Sequence, residues 1–167
     1  EILGDGSAAQ AAWGYGVGAA GLVIALFAPV LGAMADRGGG RMRWIAAFCV
    51  LYVVGAAGLW LAVPEGFSLP LILGFFALGL VGMEFATIFT NAMLPDLGPR
   101  ERIGRISGSG WAFGYLGGLV ALVVMLLVFA EGADGTTLLG NPPPFGLDAE
   151  AREGTRLVGP FTAAWFA

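Results

Sequence analysis

Four uninterrupted apolar runs, residues 13–35, 44–63, 69–94 and 111–130, constrain this chain more than any other feature. At 1.5 Å rise per residue, about twenty helical residues cross the ~30 Å hydrocarbon core of a bilayer. A further run begins near Val158 and is still apolar at Ala167. Helices of a soluble bundle would carry a charged face at the helical period, and none of the four runs does. The chain is 57% hydrophobic with a mean hydropathy of +0.82, and the 12% of residues that are charged cluster between the runs. The expected fold is therefore all-α, a polytopic transmembrane helix bundle whose first partner is lipid.

Several chemistries drop out. The first run is too long for a signal-peptide core, lacks a basic flank and has three more runs behind it. Cys49 stands alone inside an apolar run, so no disulfide framework and no metal site is expected. The chain has no histidine, and no nucleophile–base pair can be placed, so neither an enzyme nor a cofactor is expected.

The arginines orient the bundle. Residues 36–43 (DRGGGRMR) hold Arg37, Arg41 and Arg43, and residues 95–110 hold Arg100, Arg102 and Arg105. Both segments fall on one side of the membrane. The other side carries only Arg152 and Arg156, with Glu1, Asp5, Glu65, Glu131, Asp134, Asp148, Glu150 and Glu153. This bias puts the arginine-rich segments in the cytoplasm. The net charge of −4 is then the sum of two opposite surfaces, and it implies no nucleic-acid partner. The expected location is the cell membrane, multi-pass, or an internal membrane if the source is eukaryotic.

On the outer side, residues 1–12 form an N-terminal segment and residues 131–157 an extracytoplasmic loop. Pro142, Pro143 and Pro144 exclude a helix interior there and favour extended geometry. This loop reads as a surface connector, with a substrate-guarding role as the alternative.

Inside the membrane, small residues allow close backbone approach where the hydrophobic effect contributes little. Gly14 and Gly18, and Gly110, Gly114 and Gly118, repeat at spacings of four and are candidate packing positions. Their smooth surfaces would equally let helices slide. Glu84 lies near the middle of the third run, where a lipid-facing carboxylate is costly. Thr87 and Asn91 follow at +3 and +7 on the same stripe, with Thr90 beside it. Glu84 is open to three readings: a hydrogen-bonding tie between helices, a substrate or proton site with a raised pKa, or a residue nearer the interface. Trp111 and Tyr115 share a face, the first suited to interfacial anchoring and the second to packing or lining a pore.

Residues 32–43 (GAMADRGGGRMR) resemble the cytoplasmic loop signature of major facilitator superfamily transporters, with Gly32, Asp36, Arg37, Gly40 and Arg41 in the signature positions. In that role Gly32 permits helix contact, and Asp36 caps a neighbouring helix or pairs with arginine, forming a gating loop. Residues 91–118 (NAMLPDLGPRERIGRISGSGWAFGYLGG) resemble the vacuole effluxer, autophagy-related protein 22-like branch, as does RLVGPFTAAWF at residues 156–166. Pro95 and Pro99 are expected to break the helix there, and Ser107 or Ser109 to initiate the next.

The resemblance implies that the runs are helices two to five, with the start of six, of an N-terminal six-helix half. The first helix and the C-terminal half of the same polypeptide are then partners outside this chain. It also implies secondary active transport of a small solute by alternating access, with amino-acid efflux the first choice and protons the coupling ion. Glu84, Thr87, Asn91 and Tyr115 are the candidate cavity or proton site. The alternative is a membrane scaffold or assembly module with no transport activity of its own.

Overall fold

The computed structural model describes residues 6–37, 40–66 and 68–167. Residues 1–5 of the outer N-terminal segment, with Glu1 and Asp5, lie outside the described residues, as do residues 38–39 of the arginine-rich loop and residue 67. The chain is an all-α, membrane-spanning helix bundle. Helix α1 is Gly6–Asp36, α2 is Arg41–Gly58 with a 3₁₀ turn at Leu59–Leu61, and α3 is Leu69–Asn91. A 3₁₀ turn at Leu94–Leu97 leads to α4, Arg100–Val124, which ends in a π-helical turn at Met125–Phe129. After the outer loop come the one-turn helix α5, Glu153–Arg156, and α6, Val158–Phe166. Among the described residues, four helices are long and apolar enough to cross a bilayer: Gly6–Asp36, Arg41–Leu61, Leu69–Asn91 and Arg100–Phe129.

Two helices extend beyond their apolar runs. Helix α1 is already helical at residues 6–12, and α4 starts at Arg100 rather than at Ser107 or Ser109. Pro99, in extended conformation, sets the start of α4. The Ser109 hydroxyl instead donates to the Ile106 carbonyl inside the helix, at 2.9 Å. Apolarity marks the part of a helix that meets lipid, whereas backbone hydrogen bonding continues until a breaker stops it.

Helix α3 is the hub. Its Gly79 and Gly82 bring its backbone against α2, so that a Cβ built on Gly82 would sit 2.7 Å from the Phe48 carbonyl oxygen and from the Tyr52 nitrogen. On α2, Gly55 makes the reciprocal approach, to Gly79 and the Phe75 carbonyl. Close contact of this kind gains dispersion energy that larger side chains would forfeit. An aromatic cluster closes the half of the seam nearer the arginine-rich loops: Phe48 meets Phe85 at 5.2 Å and Phe89 at 5.8 Å, and Trp44 stacks on Phe89 at 6.0 Å. Phe89 is fully buried.

Helix α1 joins α3 through Trp13 on Phe76, ring centroids 4.4 Å apart, and through Gly16 under Leu73. Helix α6 lies on α2, with Gly159 against the Ala56 carbonyl and Tyr52 against Phe166 at 4.5 Å. Helix α4 has no buried residue and stands beside this unit, across clefts from α3 and α6.

Candidate functional site

The cleft between α3 and α4 has a volume of about 390 Å³, in the range of small-molecule sites. Its polar wall consists of Thr87, Thr90 and Asn91 from α3, Ser107 and Trp111 from α4, and Cys49 from α2. No charged side chain lines it. The Thr87 and Thr90 hydroxyls donate back to the Met83 and Ala86 carbonyls at 2.9 and 2.8 Å, leaving their lone pairs free to accept. The side chains of Asn91 and Ser107 and the Trp111 ring nitrogen have no hydrogen-bond partner among the described residues. The wall therefore offers donors and acceptors to whatever enters, without fixed charge.

Helix α3 puts these residues together by its period. Met83, Thr87, Thr90 and Leu94 recur three or four apart and form one face. Glu84, three residues after Val81 and seven after Ala77, continues the face of α3 that meets α1 through Leu73, Ala77 and Val81. It is half-buried, does not line the cleft, and has no hydrogen bond or ion pair among the described residues. Tyr115 is 73% exposed and also lies outside the lining, with its ring 5.9 Å from that of Trp111. Of the candidate cavity residues, the structure thus brings Thr87 and Asn91 together and leaves Glu84 and Tyr115 outside the lining.

The glycines divide differently from their sequence spacing. Gly110 and Gly114 line the cleft, and Gly114 and Gly118 line a second, open space of about 550 Å³ facing α6. Nothing described lies within 4 Å of a Cβ built on Gly14, Gly18, Gly32, Gly110, Gly114 or Gly118. The close approaches are made by Gly55, Gly58, Gly82, Gly154 and Gly159 instead.

At the arginine-rich end of the bundle, Arg41 ties α1 to the turn after α3. Its Nε donates to the Ala35 carbonyl at 2.7 Å and its Nη1 to Asp96 Oδ2 at 2.6 Å. The last carbonyls of a helix have no intrahelical partner and attract cations, which is why arginine serves at the end of α1. Gly40 adopts a left-handed conformation, φ 75°, and turns the chain into α2. Asp36 and Arg37 are exposed, and Asp36 has no ion pair among the described residues. The partner of Arg41 is thus Asp96, from the PDLGPR segment, rather than Asp36.

The sequence profile of the family described as "Vacuole effluxer Atg22 like" matches residues 8–137, most of the chain. The chain belongs to this family. It is also 30% identical, over 131 residues, to the uncharacterized MFS-type transporter YxiO of Bacillus subtilis (strain 168). That match covers 75% of this chain and 30% of YxiO, so the chain spans less than a third of the curated relative's length. No solved structure matches. The family description and the relative's name both refer to transport proteins.

The outer face of this Atg22-like chain holds a second polar cluster that sequence reading passed over. Glu131, directly after the π turn of α4, has a fully buried side chain. Its Oε1 accepts from Arg152 Nε at 2.9 Å and its Oε2 from the Thr155 backbone N–H at 2.9 Å. Arg156 donates through Nε and Nη2 to the Trp60 carbonyl at 2.9 and 2.6 Å, and its guanidinium lies 4.6 Å over the Trp60 ring. Residues 131–157 are thus a hydrogen-bonded structure rather than a plain connector. Within them, the Thr136 hydroxyl and N–H hold the Asp134 carboxyl below its ordinary pKa. The available sequence signal was a carboxylate at the end of an apolar run, followed by two arginines four apart.

Proposed function

We propose that this chain is the N-terminal part of a secondary active transporter that moves a small solute by alternating access, with helices α1 to α4 and α6 in the positions of helices two to six of a six-helix half. The observation that carries the reading is the uncharged, mostly apolar cleft between α3 and α4 with its polar patch of Thr87, Thr90, Asn91 and Ser107, in a chain whose family is that of the effluxers. The cleft is large enough for a small solute, and its free donors and acceptors suit a polar one. Amino acids are the first candidates: the Asn91 amide, the Ser107 hydroxyl and the Trp111 N–H can bond a neutral polar group of such a solute. The exposed Asp36, Arg37 and the Arg41–Asp96 pair form the cytoplasmic gate. Glu84, outside the lining, is the proton-exchanging carboxylate, and the glycine stripes of α1 and α4 are moving contacts with helices outside this chain.

The test is uptake and counterflow in proteoliposomes with the full-length protein, an amino-acid panel and an imposed pH gradient. Saturable, gradient-driven flux of at least one amino acid, reduced by Asn91→Ala, supports the reading. Absence of flux for the whole panel removes the amino-acid assignment. A full-length protein that carries no solute in either direction would be a membrane scaffold.

A further inference from the structure

Residues 131–157 carry large apolar side chains where turns ordinarily hold glycine, proline, asparagine or aspartate. Leu138 and Leu139 are the two central residues of a turn closed by the Gly140 N–H on the Thr137 carbonyl at 2.8 Å. Phe145 and Gly146 are the central pair of a second turn, in which the Leu147 N–H donates to the Pro144 carbonyl at 3.4 Å. Both residues of that pair are left-handed, with φ 63° and 71°. Glycine or asparagine would hold the first position at lower cost, whereas a bulky aromatic residue is strained there. Phe145 is nevertheless 89% exposed, with Leu138 at 72% and Leu139 at 60%. A strained backbone that presents a bare aromatic ring calls for a contact outside the fold.

The place of the two turns says what that contact is. The Phe145 ring lies 6.4 Å from the ring of Phe129, the last residue of the α4 span, so its depth is that of the bilayer boundary. Leu138 shares a hollow with Leu126 and Ala130, at the end of the same helix. Leu126 continues a stripe of exposed aliphatic side chains on α4: Leu116, Leu119 and Val123. Gly110, Gly114, Gly117 and Ala121 recur on the opposite side and line the clefts toward α3 and α6. In membranes small residues gather where helices meet, which leaves the bulky aliphatic face to lipid. The stripe that Leu138 extends is therefore the lipid side of α4. The polar body of the segment holds the turns at this level, through Glu131 on Arg152 and the Thr155 N–H, and Arg156 on the Trp60 carbonyl.

We infer that Leu138, Leu139 and Phe145 form a membrane anchor: the two turns dip into the lipid interface beside the end of α4 and bury their apolar tips at the boundary of headgroups and acyl chains. Residues 131–157 are then fixed to the bilayer surface as well as to the helix ends. The anchor depends on the spans alone and holds whatever the full-length protein carries.

The test is collision accessibility by electron paramagnetic resonance on the full-length protein in phosphatidylcholine–phosphatidylglycerol vesicles. Spin labels sit on genetically encoded ketone residues, so that Cys49 stays in place. They go one at a time at positions 138 and 145, and at position 150, exposed on the same segment, as the aqueous reference. Molecular oxygen concentrates in lipid and a nickel chelate in water. The anchor predicts that oxygen relaxes the labels at 138 and 145 more than nickel does, with the order reversed at 150. Phe145→Asn suits the left-handed backbone, so the turn survives it, and with the ring gone the 138 label should shift toward the nickel side. A 145 label reached mainly by nickel puts the turn in water and overturns the anchor. Labels at 138 and 145 reached by neither reagent put the turns under another part of the polypeptide and overturn it equally. A 138 label that ignores Phe145→Asn contradicts the joint anchoring of the two turns.

Discussion

Arg41 and Asp96 lie 55 positions apart and meet at 2.6 Å, where α2 begins and just past the end of α3. The same guanidinium closes the end of α1 through the Ala35 carbonyl. One side chain thus holds three helix ends, two by hydrogen bonds and one by its own backbone. The carboxylate is the weaker half of this arrangement, because the Asp96 side chain is 66% exposed and the Arg41 side chain 24%.

From that asymmetry, Asp96→Ala should cost no more than about 1 kcal/mol of stability, as exposed ion pairs do. Arg41→Ala should cost about 1–3 kcal/mol, because it also strands a helix-end carbonyl at the fully buried Ala35. Arg41→Lys should fall between the two, since a single ammonium replaces a fork that donates in two directions. Unfolding titrations in mixed micelles rank the three variants. Equal losses for Asp96→Ala and Arg41→Ala would mean that the Ala35 bond contributes nothing.

The glycines allow a sharper contrast. Gly82→Ala puts a methyl 2.7 Å from backbone atoms of α2 and should destabilise by about 1–3 kcal/mol. Gly79→Ala meets its nearest atoms at 3.7 Å and should be close to neutral. Gly114→Ala meets nothing described within 4 Å, so any loss of transport at unchanged stability points to a contact with another part of the full-length protein. Thermal stability and flux, measured side by side on the three variants, test this order.

How much of this was legible in the sequence depended on what each signal measures. Apolar length located the four spans, because it is the property the bilayer selects. It misplaced the start of α4, since residues 100–110 are polar yet helical, and Pro99 rather than either serine sets the boundary. A spacing of four between glycines says that they share a face without saying which face meets a neighbour. Gly14 and Gly18 therefore looked as suited to packing as Gly55 and Gly82, which make the close approaches. Glu131 counted only as one of the outer-side carboxylates, because the groups that bury it, Arg152 and Thr155, come 21 and 24 residues later. The helical period put Thr87 and Asn91 on one stripe, and both line the α3–α4 cleft. Glu84, seven residues before Asn91 and on the same side of the helix, does not line the cleft, which the period alone does not reveal.

Glu84→Gln tests the proton assignment outside the cleft lining. The variant should fold as the parent does, since Glu84 makes no hydrogen bond or ion pair among the described residues. It should flatten the dependence of flux on an imposed pH gradient while leaving solute counterflow in place. Initial rates over a pH series decide it, and an unchanged pH profile removes Glu84 from proton coupling.

The α3–α4 cleft can be probed directly, because Cys49, the single cysteine of this sequence, lies in its wall. The measurement is the rate at which a membrane-impermeant thiol reagent labels Cys49 from each face of oriented vesicles, read by mass spectrometry of the peptide that carries it. A solute pathway open to the cytoplasm predicts labelling from the cytoplasmic face, slowed by the transported solute. A Cys49 that reacts from neither face, with or without solute, would show the cleft to be dry helix packing and would contradict the account.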